Sequence, residues 1–243
     1  MELSSRPAGG RIGALRRALK DSAELVFVDP PHVLEMPTGD ASDFKNKYDS
    51  DAAAAPTSDA DTPRAWWFAE SREDGQYRKF IKFEETLVYL RHILETEGPF
   101  DAVFGFSQGA ACGAILTALV EQPSLDPIFA APSQNPDVKW PPRPFSFAVL
   151  SAGFYPLDPR ANACFKTGTK PKTPTLHVLG RVRPLSLSLA VELQGSSRVV
   201  ELQGPSLTSL FRARRATRSS ARVRALSLPL AGSRTLEVLL LTL

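Results

Sequence analysis

FDAVFGFSQGAACGAILTALV, residues 100–120, runs from a short apolar stretch, Ala102, Val103 and Phe104, through Gly105, Phe106, Ser107, Gln108 and Gly109 into a small-residue segment beginning at Ala110. The pattern predicts a strand, a sharp turn and a helix. Gly105-x-Ser107-x-Gly109 has the spacing of a nucleophile elbow, in which two glycines let the backbone turn tightly enough to hold a serine in a strained conformation at the tip. A bare G-x-S-x-G arises by chance in about one chain of this length in ten, so the flanking pattern has to support it. It does so here. Val103 and Phe104 precede the turn as β-formers, and Ala110, Ala111, Ala114, Leu116, Ala118 and Leu119 follow it as an apolar helical set.

Upstream of this stretch, Ile12, Leu15 and Leu19 form the stripe of a short amphipathic helix over residues 11–20. Residues 23–29, AELVFVD, are a continuous apolar run stopped by Pro30 and Pro31, which predicts a fully buried strand. Residues 37–63 are polar, rich in Asp, Ala and Ser and without a period, as expected of a long surface loop or lid. Residues 64–70, RAWWFAE, hold two of the three tryptophans, and Phe80, Phe83, Leu87, Leu90, Ile93 and Leu94 recur at helical intervals within residues 77–97. Downstream, residues 121–143 form a proline-punctuated connection. Residues 144–150 lead into a second buried strand closed by Gly153, and residues 175–179, TLHVL, are the last convincing strand. Strands alternating with helices in this way predict an α/β fold, a mostly parallel sheet with helices on both faces.

A chain of 243 residues with 43% apolar residues suits one α/β domain with a sizeable core. The formal charge of +3 conceals an asymmetry: residues 181–243 carry ten Arg and three Glu with no Lys or Asp, giving +7, so the first 180 residues carry −4. The two cysteines, Cys112 and Cys164, offer neither a disulfide framework nor paired metal-ligand spacing, so no metal is expected and a reducing cytosol is the expected setting, with the nucleus as a second compartment. The first 20 residues lack the apolar core of a signal peptide, and no run of 18 apolar residues is long enough to span a bilayer.

Several linked blocks, in order, resemble the serine hydrolases of the FSH type, α/β-hydrolase relatives that include fungal serine hydrolases and animal OVCA-type esterases. The blocks are Gly13-Ala14-Leu15-Arg16, Asp29-Pro30-Pro31-His32, Arg64-Ala65-Trp66-Trp67-Phe68 and Gly98-Pro99-Phe100-Asp101 leading into Gly105-Phe106-Ser107-Gln108-Gly109. Ser151-Ala152-Gly153-Phe154 and His177-Val178-Leu179-Gly180 follow. The resemblance implies a partial α/β-hydrolase domain over residues 11–180, incomplete at the N- and C-terminal ends. It implies hydrolysis of ester or thioester bonds of small acyl substrates, with no metal or organic cofactor. It makes Ser107 the nucleophile that forms an acyl-enzyme, and the backbone N–H of Gln108 one of two donors to the oxyanion. On this reading the Gln108 side chain is secondary. Trp66, Trp67 and Phe68 either line an acyl pocket or anchor a lid to the core.

The same resemblance implies a triad acid at position 183 and a later histidine, in the chain order serine, acid, histidine. Position 183 is Arg183, and neither His nor Asp occurs after His177. The opening MELSSRPAGG does not resemble the family's first strand and the loop that supplies the second oxyanion donor. Of the 63 residues from 181 to 243, 15 are Leu, 10 Ser and 10 Arg, the three amino acids with six codons each, as expected of GC-rich sequence read in another frame. This basic tail is expected to be poorly ordered or to form a makeshift helix. His32, His92 and His177 each read as structural, and Asp158 is the best-placed substitute acid. The expectation is therefore an impaired serine esterase, with a non-catalytic acyl-ligand binding or regulatory protein as the alternative. The small-molecule acyl substrate is the only expected partner: nucleic-acid binding through FRARRATRSSARVR is allowed by its charge but is not the expectation.

Overall fold

The computed structural model describes residues 13–34, 63–71, 78–166, 170–179, 197–201 and 235–241. Helix α1 (Gly13–Leu19) leads into β1 (Ala23–Val28), and β2 (His32–Val33) pairs antiparallel with β3 (Arg64–Ala65). A second small hairpin joins β4 (Phe68–Ser71) to β5 (Arg78–Ile81). Then come α2 (Phe83–Thr96), β6 (Ala102–Phe106) and α3 (Gln108–Glu121). Short helices α4 (Pro127–Ala130) and α5 (Pro159–Asn162) flank β7 (Phe147–Ser151). Strands β8 (Thr175–Leu179), β9 (Ser197–Glu201) and β10 (Leu236–Leu241) follow.

Six strands form one sheet in the order β1-β10-β6-β7-β8-β9, and every neighbouring pair is parallel. Because side chains alternate along a strand, the sheet has two distinct apolar faces. Val28, Val103, Ala148, Leu150, Leu239 and Leu241 face the main core, which α3 fills. Ala23, Ala102 and Val238 face the other way, against Leu19 of α1. The α/β architecture read from the chain, a parallel sheet with helices on both faces, is the one observed.

Helix α3 is buried at every position from Gly109 to Val120. Its run of Gly, Ala and Cys leaves little side-chain bulk, so the helix axis can approach β6, β7 and β10 closely. Helix α2 is amphipathic, burying Phe83, Thr86, Leu87, Leu90, Ile93 and Leu94, and Glu84 and Glu85 in its first turn complement the positive end of its dipole. The predicted helix over residues 77–97 is thus shorter than its apolar stripe. Phe80 belongs to β5, and Lys82, at φ 64°, turns the chain between strand and helix.

Two other expectations change. The β1 run is only partly buried, with Glu24 exposed, because β1 is the edge strand and pairs only with β10 among the described residues. In the tail, two stretches are described and both are strands of the sheet. β9 lies beside β8, and β10 sits in the slot between β1 and β6. The remainder of that tail, and the loop predicted over residues 37–63 apart from Pro63, lie outside the described residues. Asp101 fastens β10 into its slot. Its N–H donates to the Glu237 carbonyl at 2.7 Å, and its Oδ2 accepts from the Glu237 N–H at 2.9 Å. Its Oδ1 pairs with Arg143, and its carbonyl accepts the Ser146 N–H at 2.7 Å, tying in the approach to β7.

Candidate active site

The carboxyl ends of β6 and β7 lie side by side, with Phe106 opposite Ser151. Ser107 follows at φ 53°, ψ −116°, a backbone region that L-residues rarely occupy, and α3 begins at the next residue. Its N–H donates to the Ser151 carbonyl at 2.8 Å, so the turn is pinned to the neighbouring strand. Its carbonyl accepts from the N–H groups of Ala110 and Ala111, at 3.1 and 3.3 Å, and so starts the helix. Gly105 makes the turn possible. A Cβ there would fall 2.6 Å from the Gly109 carbonyl carbon and 2.7 Å from Ala110 Cα, all backbone atoms with no way to move aside.

Ser107 is half-buried, and its side chain makes no capping bond to the helix. It stands at the N-terminus of a 14-residue helix, whose positive dipole end favours negative charge. Gln108 is the first residue of that turn. Ala152, next to Ser107 across the sheet edge, also has φ 53°, and its N–H donates to the Val178 carbonyl at 2.8 Å. Two non-glycine residues with positive φ therefore stand together at the carboxyl ends of β6 and β7. The sequence shows nothing of this at Ala152, because alanine carries no signal for a positive φ.

The Gln108 side chain, secondary on the sequence reading, bridges two backbone groups. Its Oε1 accepts the Trp66 N–H at 2.8 Å, and its Nε2 donates to the Trp67 carbonyl at 2.8 Å. The amide thus binds the backbone of a segment some forty residues away as a neighbouring strand would. Trp66 and Trp67 themselves are buried in the main core. Trp67 stacks on Phe80 with ring centroids 4.6 Å apart and meets Phe83 edge-on at 5.6 Å. Both indoles pack into the main core, and the lid of the anchoring reading lies outside the described residues.

The histidines are dispersed. His32 is buried, its Nε2 lying 3.0 Å from Thr86 Oγ1 and 3.1 Å from the Lys82 carbonyl. The Thr86 hydroxyl donates to the Trp66 carbonyl, so its oxygen can only accept from His32; this requires the proton on Nε2. Burial pushes the His32 pKa down, partly opposed by the Lys82 carbonyl and by Glu85, whose carboxylate is 3.7 Å from Nδ1. His177, on β8, is buried with Nε2 3.2 Å from Thr175 Oγ1, and burial depresses its pKa to about 4. His92 is exposed on α2. Asp158, the substitute acid suggested by its position in the chain, is a helix cap. Its Oδ1 accepts from the N–H groups of Arg160 and Ala161, and its Oδ2 accepts from the Phe80 N–H at 2.9 Å. Its carboxylate is occupied in tying α5 to β5. Arg183, at the position where the acid was expected, lies outside the described residues. Among the described residues no three His, Cys, Asp or Glu side chains are grouped so as to hold a metal.

Comparison with known proteins bears on what this geometry is for. The family described as serine hydrolase (FSH1) matches residues 9–199. Esterase OVCA2 of Danio rerio is 33% identical over 195 residues, covering 73% of each chain. The Homo sapiens esterase OVCA2 is 32% identical over 185 residues, covering 73% of this chain and 70% of that protein. Rhodanese-like domain-containing protein 6 of Arabidopsis thaliana is 34% identical over 177 residues, which is 70% of this chain but only 27% of the plant protein's length. No solved structure is a significant match.

Proposed function

Since the chain belongs to the serine hydrolase (FSH1) family, we propose that it is a carboxylic ester or thioester hydrolase by descent. Ser107 is the acyl-accepting nucleophile on this reading, and turnover is impaired because the triad acid and base are lacking. The observation that carries the reading is the backbone of Ser107, held at φ 53° between β6 and the start of α3. In the intact reaction Ser107 Oγ bonds to the acyl carbon, a base takes the hydroxyl proton, and the N–H of Gln108 stabilises the oxygen that gains the charge. The leaving alcohol or thiol takes up a proton as it departs, and water then releases the acid. Position 183 holds Arg183, and in the given sequence no histidine follows His177; both support the reading that the hydroxyl proton lacks its usual acceptor. In well-studied proteases, loss of triad members leaves an acceleration on the order of 10³ to 10⁴ over water, which sets the ceiling here.

The second reading, a non-catalytic protein that retains acyl-ligand binding, is favoured by the same missing acid and base. Two buried free cysteines, Cys112 and Cys164, fit a reducing cytosolic setting. Labelling by a fluorophosphonate probe and turnover of p-nitrophenyl esters, measured beside Ser107→Ala, separate the readings. Slow chemistry that disappears in Ser107→Ala is the expected result. Turnover above the stated ceiling that depends on Ser107 overturns the impairment, and identical behaviour of the two proteins overturns Ser107 as nucleophile and leaves the binding reading.

A further inference from the structure

A chain of polar contacts runs from β2 to the turn that carries Ser107. The His32 Nε2–H donates to Thr86 Oγ1, and the Thr86 hydroxyl donates to the Trp66 carbonyl. The Trp66 N–H then donates to Gln108 Oε1, and Gln108 Nε2 donates to the Trp67 carbonyl. Every group in this chain has its donor and acceptor roles assigned. The segment it secures is short, lying between β3 and β4, and its backbone reaches the elbow through the Gln108 amide.

We propose that the Gln108 side-chain amide is a positioning latch. By holding the Trp66–Trp67 backbone against the first turn of α3, it sets the wall beside Ser107 and fixes the orientation of the Gln108 N–H. This deepens the reading of Ser107 as an acyl-accepting nucleophile and rests on it. The geometric basis is that only a group with one acceptor and one donor on the same planar head can satisfy the Trp66 N–H and the Trp67 carbonyl together. A carboxylate offers two acceptors, so one of its oxygens would oppose the Trp67 carbonyl. A protonated carboxyl again offers one of each. Gln108→Glu should therefore be open at neutral pH and closed in mild acid, whereas Gln108→Ala should be open throughout.

The test has two independent readouts, hydrogen exchange at the Trp66 amide and the rate of fluorophosphonate labelling of Ser107. Both are measured at pH 7.5 and pH 5 in the parent, Gln108→Glu and Gln108→Ala. Exchange rates are corrected for intrinsic pH dependence. His32, which belongs to the network, and the charged Glu85 and Lys82 beside it are common to all three proteins and cancel in the comparison. At pH 7.5 both variants should exchange the Trp66 amide about tenfold faster than the parent, the factor set by loss of one buried hydrogen bond. At pH 5, where a glutamate of ordinary pKa is only partly protonated, Gln108→Glu should fall back to about fourfold above the parent, with Gln108→Ala still about tenfold faster. Labelling relative to the parent should follow the same pattern. Unchanged exchange in Gln108→Glu at pH 7.5 overturns the latch. Faster exchange with labelling equal to the parent's overturns the positioning role, because the contact is then only structural. If the parent itself shows no Ser107-dependent labelling, the hydrolase reading and the positioning role fail together, and the exchange data alone decide whether Gln108 holds the segment.

Discussion

Gly105→Ala is the substitution that most directly probes the elbow. Its added Cβ would meet the Gly109 carbonyl carbon at 2.6 Å and Ala110 Cα at 2.7 Å, and the Gly109 carbonyl oxygen closer still. Real Cβ contacts do not fall below 3.0 Å, so the end of β6 and the first turn of α3 would have to separate by several tenths of an ångström. Neither can move freely. Gly105 is paired with Leu150 on one side and Leu241 on the other, and α3 is buried along its length. Overpacking of a close-packed interior costs about 1–3 kcal/mol, and backbone atoms that cannot rotate aside place this case at about 3 kcal/mol. For a chain of this size that corresponds to a melting-point drop of roughly 6–12 °C. Gly113→Ala is the control. There a Cβ meets side-chain atoms of Leu150 and Val103 at 3.4 Å, which is ordinary contact, and alanine is favoured over glycine within a helix by about 0.5–1 kcal/mol. Calorimetric or circular-dichroism melts should show Gly105→Ala far below the parent and Gly113→Ala within a few degrees of it. A Gly105→Ala melt coincident with the parent's, or an equal drop in both variants, would refute the claim that close backbone approach at the elbow requires glycine.

Two further outcomes follow from groups away from the elbow. Asp101→Ala leaves the half-buried Glu237 N–H without its carboxylate acceptor and should cost about 1.5 kcal/mol, nearly all from that amide, because Arg143 is 42% exposed and its ion pair contributes little. Hydrogen exchange should speed up most in β10; uniform acceleration across the sheet would argue against Asp101 as its fastener. His177 is depressed to about 4 in the folded chain, below the ordinary value of 6.5, so between pH 6.5 and about 4 the unfolded chain binds a proton that the folded chain does not. Stability should therefore fall as pH drops through that window, by on the order of 3 kcal/mol at its lower end, with no contribution above pH 6.5. Urea midpoints of the parent and His177→Gln at pH 7.5 and 4.5 check this: the parent should lose more, and parallel losses would show that His177 is not the titrating group.

Local pattern was a good guide wherever one element's own residues decide its form. The apolar run before Gly105, the two glycines and the alanine-rich stretch after them specify strand, turn and helix through steric and burial effects within some twenty residues. Phe80 falls within the helical spacing because a β-hairpin and the following helix share one apolar period, and only the φ of 64° at Lys82 separates them. Asp158 reads as an available acid because the sequence shows its place after β7 but not the three N–H groups that occupy its carboxylate.

What the sequence determined by itself is the parallel α/β class, the family and the turn that carries Ser107, since periodicity and glycine spacing are properties of neighbouring residues. The tertiary structure alone decided that Leu236–Leu241 enters the slot between β1 and β6, and that the Gln108 amide grips Trp66 and Trp67. Those arrangements join residues 136 and about forty positions apart. They depend on which backbone groups remain to be paired once the sheet has assembled, a condition that no local pattern records.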